Sequence, residues 1–478
     1  MKHPKWMAIL AVISVLSLAA LACGGGAAAT DTPQPTKAPA ATRTPKPTED
    51  VAPTDEPQPT KADPVLTGDG VEIVNSLSYI DNYDYVHVVG LIRNNTADPV
   101  TNILLEVSIT DANGDTILRD GEAPVDTADG YTALYTIAPD NETPFDFWTF
   151  VPDGMEASEY TVEIVSFDQG NIDRGELELQ NAQMIADADG NLYFSGELVN
   201  LSNQPVLINS FAGAALDDNG NVLASDYTFA INRYLQAAGA AGDYDRTPFL
   251  VTLDGPADQA TQWSAYWDAD LADEQDLVGV DFGEITTFYD DFGNLHLIGT
   301  AINNSNDPLY ISLVAGLYAA DGTVLDAATA SVPIYVLPGG EAPFQFQYFS
   351  SVNFNQDQAD LVDSYTIRVD RYWSYEPTFA TVELESANED VTLPDSSGIV
   401  EAKGDVTNTS TEDLSSIVVI VAIYDGNTLV GMEWTSMYPD GEAYAPGDTA
   451  TFDVTVYLDP TVDGSNFEFV TFVQGYVK

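Results

Sequence analysis

The sequence predicts an all-β chain of four tandem sandwiches that follow an export signal and a disordered Pro/Thr-rich stalk. Three observations carry this expectation. The pattern Gly-x-x-x-Asn-x-Ser/Thr recurs from Gly90, Gly196, Gly299 and Gly404, at intervals of 106, 103 and 105 residues, each the size of one small domain. Around each glycine the residues alternate, as in Leu192, Phe194, Gly196 and Leu198 on one side of a strand. An Asp/Asn-Gly turn then closes a hairpin at Asn113-Gly114, Asn219-Gly220, Asp321-Gly322 and Asp425-Gly426. A length of 478 residues suits about three or four domains, each able to bury its own core.

From the N-terminus, Met1 to Lys5 supply a basic start and Trp6 to Ala22 an apolar run of signal-peptide length, too short for a stable membrane span. The run ends Leu18-Ala19-Ala20-Leu21-Ala22-Cys23, which resembles a bacterial lipobox and makes Cys23 the expected lipidation site. Ala20 and Leu21 depart from the usual pattern, and Ala20-x-Ala22 also suits ordinary signal cleavage, so a secreted form stays open. Cys23 is the only cysteine, which excludes an intramolecular disulfide and gives a lone thiol a reason to stand there. Residues 23–67 are the expected linker: Gly24 to Pro64 is Gly, Ala, Thr and Pro with almost no large apolar side chain, so it cannot form a core. Extended at about 3.1 Å per residue, it would hold the rest of the chain up to roughly 100 Å from a membrane.

Four units are expected at 68–171, 172–281, 282–377 and 378–478. Within each, a leading strand such as Val71 to Ser78 precedes the motif strand. The glycine shares a face with the apolar residues, as with Val400, Ala402, Gly404 and Val406 against Glu401, Lys403, Asp405 and Thr407, so it points to the core. Asn94, Asn200, Asn303 and Asn408 then end the strand, where an Asn side chain bonds local backbone and turns the chain. An apolar strand (Val100 to Thr110, Leu414 to Tyr424) leads to the hairpin turn. Later a Thr/Ala-x-Phe opens another strand, at Phe145, Phe249, Phe344 and Phe452. About seven short strands per unit at this length argue an immunoglobulin-like sandwich.

The hairpin strand supports a more specific resemblance. Val421-Ala422-Ile423-Tyr424-Asp425 resembles the FxLYD signature of a bacterial immunoglobulin-like domain type found in exported lipoproteins; the other copies read Val107 to Asp111, Gly213 to Asp217 and Ala315 to Ala319. No copy has the Phe, and two keep the Tyr. The resemblance implies the fold and an extracytoplasmic place. It brings no catalytic residues.

The charge narrows the partners. Seventy-five acidic against 15 basic residues give a formal charge of −60, which repels nucleic acid and leaves metal cations, basic proteins and neutral glycans open. His87 and His296, three residues before a motif glycine, are expected on the outward face as ordinary surface residues. With His3 the only other histidine, no triad or histidine-rich metal site can be built. Asp187, Asp189, Asp217 and Asp290 gather oxygen ligands in turns as calcium loops do, but lack the twelve-residue loop and its closing Glu; they read as hairpin turns or weak calcium sites. The Asn-x-Ser/Thr triplets match a glycosylation acceptor, though the strand-end role explains them better. The second unit departs from the others between Phe229 and Gly279, and Tyr244, Trp263, Tyr266 and Trp267 are its candidate binding residues on an inserted loop, with core packing as the alternative.

These readings converge on a membrane-anchored, surface-exposed structural or binding module without enzymatic activity. A secreted, calcium-stiffened adhesin or carbohydrate-binding protein is the alternative. A hydrolase using a carboxylate pair is disfavoured by four near-equal units.

Overall fold

The computed structural model describes residues 60–61 and 70–478, apart from 82–84, 118–127, 151–156, 188–190, 229–230, 254, 257–258, 276–278, 355, 371–373, 376–378, 393, 395–396 and 463–465. The export signal and Cys23 lie outside the described residues. Among the described residues strand accounts for 62% and helix for 3%, so the class is all-β, built from small antiparallel sheets.

In the first repeat the principal strands are β1 (Val71–Ile80), β2 (Tyr85–Asn94), β3 (Val100–Asp111), β4 (Thr116–Ile117), β5 (Glu142–Phe150) and β6 (Ala157–Gln169). Strands β1, β2 and β5 make one sheet and β3, β4 and β6 the other. Their facing sides close over a core that includes Ile73, Val88, Leu105, Phe145 and Val162. The second repeat copies this plan with β7 (Leu177–Ala186), β8 (Leu192–Asn200), β9 (Val206–Leu216), β10 (Val222–Tyr227), β11 (Arg246–Leu253) and β12 (Gln262–Leu271). The third has β13 (Thr286–Tyr289), β14 (Leu295–Asn303), β15 (Ser312–Tyr318), β16 (Val324–Ser331), β17 (Glu341–Phe346) and β18 (Ser364–Val369). The fourth has β19 (Ser386–Val391), β20 (Ile399–Thr407), β21 (Leu414–Asp425), β22 (Thr428–Met437), β23 (Thr449–Tyr457) and β24 (Phe467–Val477). Equivalent strands therefore differ by six in number.

With the shorter strands counted, among them Ala128–Tyr131, Val280–Phe282 and Thr381–Leu384, each repeat holds about seven, as expected. The stretch before the fifth strand pairs briefly with the third: Ala128–Tyr131 and Thr136–Ile137 on β3, Tyr234–Leu235 on β9, and single bridges Leu309↔Val336 and Leu414↔Tyr444. The linker also departs from expectation at its end, because Thr60–Lys61 pairs with Leu77 and Ser78 on the edge of β1.

The motif glycine has the same neighbour in every repeat. Register sets Gly90 opposite Phe145, Gly196 opposite Phe249, Gly299 opposite Phe344 and Gly404 opposite Phe452. Each Phe ring folds over its glycine: a Cβ placed there would stand 2.6 Å from Phe145 Cζ, 2.9 Å from Phe249, 3.1 Å from Phe344 and 2.7 Å from Phe452. All four Phe side chains are fully buried. The absent side chain is thus the space that the core's central aromatic ring occupies.

Successive repeats meet by a common contact. The fourth strand of the following repeat lies across the outer face of the sheet that carries the motif strand: β10 across β2 and β5, β16 across β8 and β11, β22 across β14 and β17. At the first junction Leu77, Tyr79, Val89 and Leu91 pack on Ala214, Val222 and Leu223. The second adds Ser195 Oγ and Gln183 Nε2, both donating to the Val324 carbonyl at 2.6 and 3.0 Å. At the third, one apolar cluster runs from Ile298 into Val418, Ile420, Leu429 and Met432. The residue before the motif glycine is accordingly buried as Val89, Ser195 and Ile298, whereas in the fourth repeat it is exposed Lys403, paired with Asp453 at 2.6 Å.

Candidate functional site

The motif asparagines end up in one shared geometry. Asn94, Asn200, Asn303 and Asn408 are almost wholly buried. Each amide nitrogen donates to two carbonyls, one four residues ahead and one in the crossing strand: Asp98 and Ile137, Gln204 and Gln236, Asp307 and Val336, Glu412 and Tyr444. Each amide oxygen accepts the backbone N–H of Thr96, Ser202, Ser305 or Ser410 at 2.8 to 3.0 Å. The hydroxyls of Thr96, Ser305 and Ser410 add a donor at 2.7 Å. With both amide hydrogens engaged and the group buried, the nitrogen cannot carry a glycan in the folded chain. The Ser/Thr of the pattern is there to complete the turn.

The acidic turns are likewise occupied. Asp217 Oδ1 accepts the N–H groups of Asn219 and Asn221, and Oδ2 the amide of Asn221 at 2.6 Å. Asp187 holds Asn191 and the Tyr193 hydroxyl, and Asp290 holds Phe292, Asn294 and His296. Burial works against the ionised forms of Asp217 and Asp290, but these donors outweigh it and keep both carboxyls below their usual range. Asp189 lies outside the described residues. Among the described residues no group of three or more His, Cys, Asp or Glu converges to hold a metal ion.

His87 and His296 correct an expectation. Both point away from their own core, yet they are buried rather than surface residues, at 8% and 2% exposure. His87 stacks on Tyr79 at 4.8 Å and bonds Asp146 at 3.0 Å, with Asp81 at 3.5 Å. Burial lowers its pKa, but the two carboxylates outweigh this and hold it above the ordinary imidazole value. His296 stacks on Phe288 at 4.7 Å, bonds Asp290 at 3.1 Å, and lies 6.2 Å from the Tyr457 ring of the next repeat. The pairs share a spacing that was readable in the sequence: an Asp six residues ahead of His87, Tyr193 and His296. Alternation identifies the face that leaves a core; it does not show that a neighbour covers that face.

Among the described residues, the rings expected on an inserted loop of the second repeat do not lie on one. Trp263, Tyr266 and Trp267 lie on β12, the regular sixth strand, opposite Ala215, Ala212 and Phe211. Trp263 leans on Phe194 at 4.9 Å, Tyr266 joins the first junction, and Trp267 packs on the repeat's own core. Tyr244 stands apart at the end of the short turn Ala241–Asp243, which precedes β11. The structure therefore does not gather these four into one site. The stretch that reads as an insertion is the same crossing segment that every repeat uses to receive its motif asparagine.

A polar cluster at the second junction was not foreseen. Glu197, Tyr318 and Arg368 are buried together, with the Tyr318 hydroxyl donating to Glu197 at 2.8 Å and Arg368 Nη2 at 4.0 Å. Nearby, Asp326 on β16 accepts N–H bonds from Ala327 and Val352, both at 2.8 Å, which anchors the short helix Ser350–Phe354. Burial is the largest cause that pushes its carboxyl up to about 8, against the opposing backbone donors. In the unfolded chain it titrates near about 3.9, so between these values the folded state holds the extra proton. The stability it contributes is fully present below about pH 4 and is lost as pH rises through about 8. Asp326→Asn removes this titration. Urea midpoints should therefore move in favour of the variant, relative to the parent, as pH rises from about 5 to about 9; a difference independent of pH would exclude Asp326 as the source.

With this geometry in view, similarity to known proteins is sparse. No family model matches the chain, and no curated protein matches it. Among solved structures, an Escherichia coli alpha-2-macroglobulin activated by porcine elastase is 9% identical over 88% of this chain and 44% of that one, with a TM-score of 0.12. A Salmonella alpha-2-macroglobulin reacted with methylamine is 10% identical over 80% and 27%, with a TM-score of 0.11. The chain spans less than half the length of either. Scores this low carry no argument about function.

Proposed function

We propose that the chain is an exported surface protein, lipid-anchored at Cys23, whose four immunoglobulin-like sandwiches of the FxLYD type form a non-catalytic structural or binding module. The observation that carries this reading is the junction made three times by equivalent strands. Eight sheets stacked at about 10 Å each would make a stiff column roughly 80 Å long. The polar residues of the repeated motif are spent on turns and strand ends, which supports a scaffold over a reaction centre. The charge of −60 favours solubility outside a cell and disfavours nucleic acid. Among the described residues no helix is long and apolar enough to cross a membrane, and the reading assigns attachment to the lipidated N-terminus. Cys23→Ala in the producing cell tests it: the variant should leave the membrane fraction for the soluble one, while equal retention of both forms would refute the anchor.

A further inference from the structure

The outer face of the β1, β2 and β5 sheet is only partly covered by the second repeat. Beyond Leu77, Val89 and Leu91, the same face carries Tyr85, Trp148 and Phe150. Register places Tyr85 opposite Phe150 and His87 opposite Trp148. Tyr85 stands edge-on to both neighbours, 5.2 Å from Trp148 at 90° and 5.9 Å from Phe150 at 73°. Trp148 is 55% exposed and Phe150 38%. Beside them the stacked Tyr79 and His87 rings, fixed by Asp146, form a rigid floor.

This cluster belongs to one repeat. Trp148 lies three residues after the core Phe145, and the equivalent positions are Thr252, Gln347 and Thr455. Tyr85 lies five before its glycine, where the others have Asn191, Asn294 and Ile399. The fold therefore does not require aromatic side chains there. Exposed rings on an otherwise strongly acidic surface are a solubility liability, and their grouping on paired strands suits recognition.

We propose that this face is a binding platform for a neutral polysaccharide. A pyranose ring presents a C–H face that stacks on aromatic rings, while its hydroxyls donate to acceptors around them. The carboxylate of Asp146 is held by His87 at 3.0 and 3.2 Å and fixes the rings in place, and the charge of −60 repels uronate polymers and anionic headgroups alike. Side chains mounted on paired strands are already ordered, so little conformational entropy is lost on binding. The proposal deepens the reading of an exported binding module and rests on it, but its test is independent of the anchor.

The purified protein is titrated with three soluble neutral polysaccharides (a β-glucan, a mannan and a xylan), with polygalacturonate, and with phosphatidylcholine vesicles. At least one neutral polymer should bind. Trp148→Ala should weaken that binding about tenfold or more, while Tyr348→Ala, which alters an exposed ring of the third repeat, should leave it unchanged. Thermal unfolding of both variants checks that the fold survives. Absence of binding to all three neutral polymers, equal loss in both variants, retention in Trp148→Ala, or binding only to polygalacturonate or vesicles would each overturn the proposal. None of these results would bear on where Cys23 places the protein.

Discussion

Gly90→Val is expected to destabilise the first repeat by roughly 3 kcal/mol or more. A Cβ at this position would stand 2.3 Å from the carbonyl oxygen of Asn75 and 2.6 Å from the ring of Phe145. The ring can shift a little, but the carbonyl belongs to a strand whose register with β2 resumes at Asn75 after an irregularity. Moving it disturbs the pairing of Asn75 and Ser76 with Leu91 and Gly90. Overpacking of a close-packed core costs about 1–3 kcal/mol and more where backbone must move, so roughly 3 kcal/mol or above is expected here. Set against a typical total of about 5–15 kcal/mol, that is a large share of one small unit's stability. Gly404→Ala should be milder: its closest contacts, at 2.7 Å, are two ring atoms of Phe452, and the nearest carbonyl is 3.2 Å away. Pairing it with Phe452→Leu should restore part of the loss, whereas no partner substitution should rescue Gly90→Val. Urea unfolding followed by circular dichroism measures all of these; a Gly90→Val midpoint equal to the parent's would contradict the close approach.

Asn303→Ala is expected to cost about as much by a different route. The substitution takes one donor from each of the Asp307 and Val336 carbonyls, which keep Ser305 Oγ and the Leu309 N–H, and removes the acceptor of the Ser305 N–H. Three lost hydrogen bonds at about 0.5–1.5 kcal/mol each give a total of roughly 3 kcal/mol. Asn303→Asp separates the donor from the acceptor role. It keeps the oxygen that accepts from Ser305 but turns a carboxylate toward two carbonyls, so at neutral pH it should be at least as damaging as Ala. Below about pH 4 the acid is protonated and can donate one bond again, so the Asp variant should then exceed the Ala variant in stability. Matching midpoints for the two variants across that range would show that the amide's donors do not matter.

Both predictions come from residues that the sequence singles out by spacing, and that part of the molecule was legible. Period and alternation put Gly90 and its counterparts on a core face and the asparagines at strand ends. The partners were not legible, because nothing local says that Phe145 folds over Gly90 or that Ile137 receives Asn94; those pairings arise when distant strands meet. His87 and His296 failed for a related reason. Alternation concerns one sheet, and burial of its outer side depends on the next repeat. Trp263, Tyr266 and Trp267 were misplaced onto a loop because the Ala/Gly-rich stretch before them resembles an insertion, while they sit on a strand that all repeats share. Trp148 could have been noticed: Phe145 and Phe147 alternate inward, so the tryptophan beside them must face out.

Lys403 has a bearing on how such a chain can grow. Internal repeats end in a face suited to receive another repeat, so copying one of them and inserting the copy between its neighbours would lengthen the column by about 20 Å while preserving its contacts. The last repeat is not interchangeable in this way. Moved inward, it would bury Lys403 and Asp453 beneath the fourth strand of whatever followed, where a charge pair gains little and the loss of hydration is large. The order of the four repeats is therefore directional: the second or third can be copied in place with its contacts kept, whereas the fourth cannot be moved inward without burying Lys403.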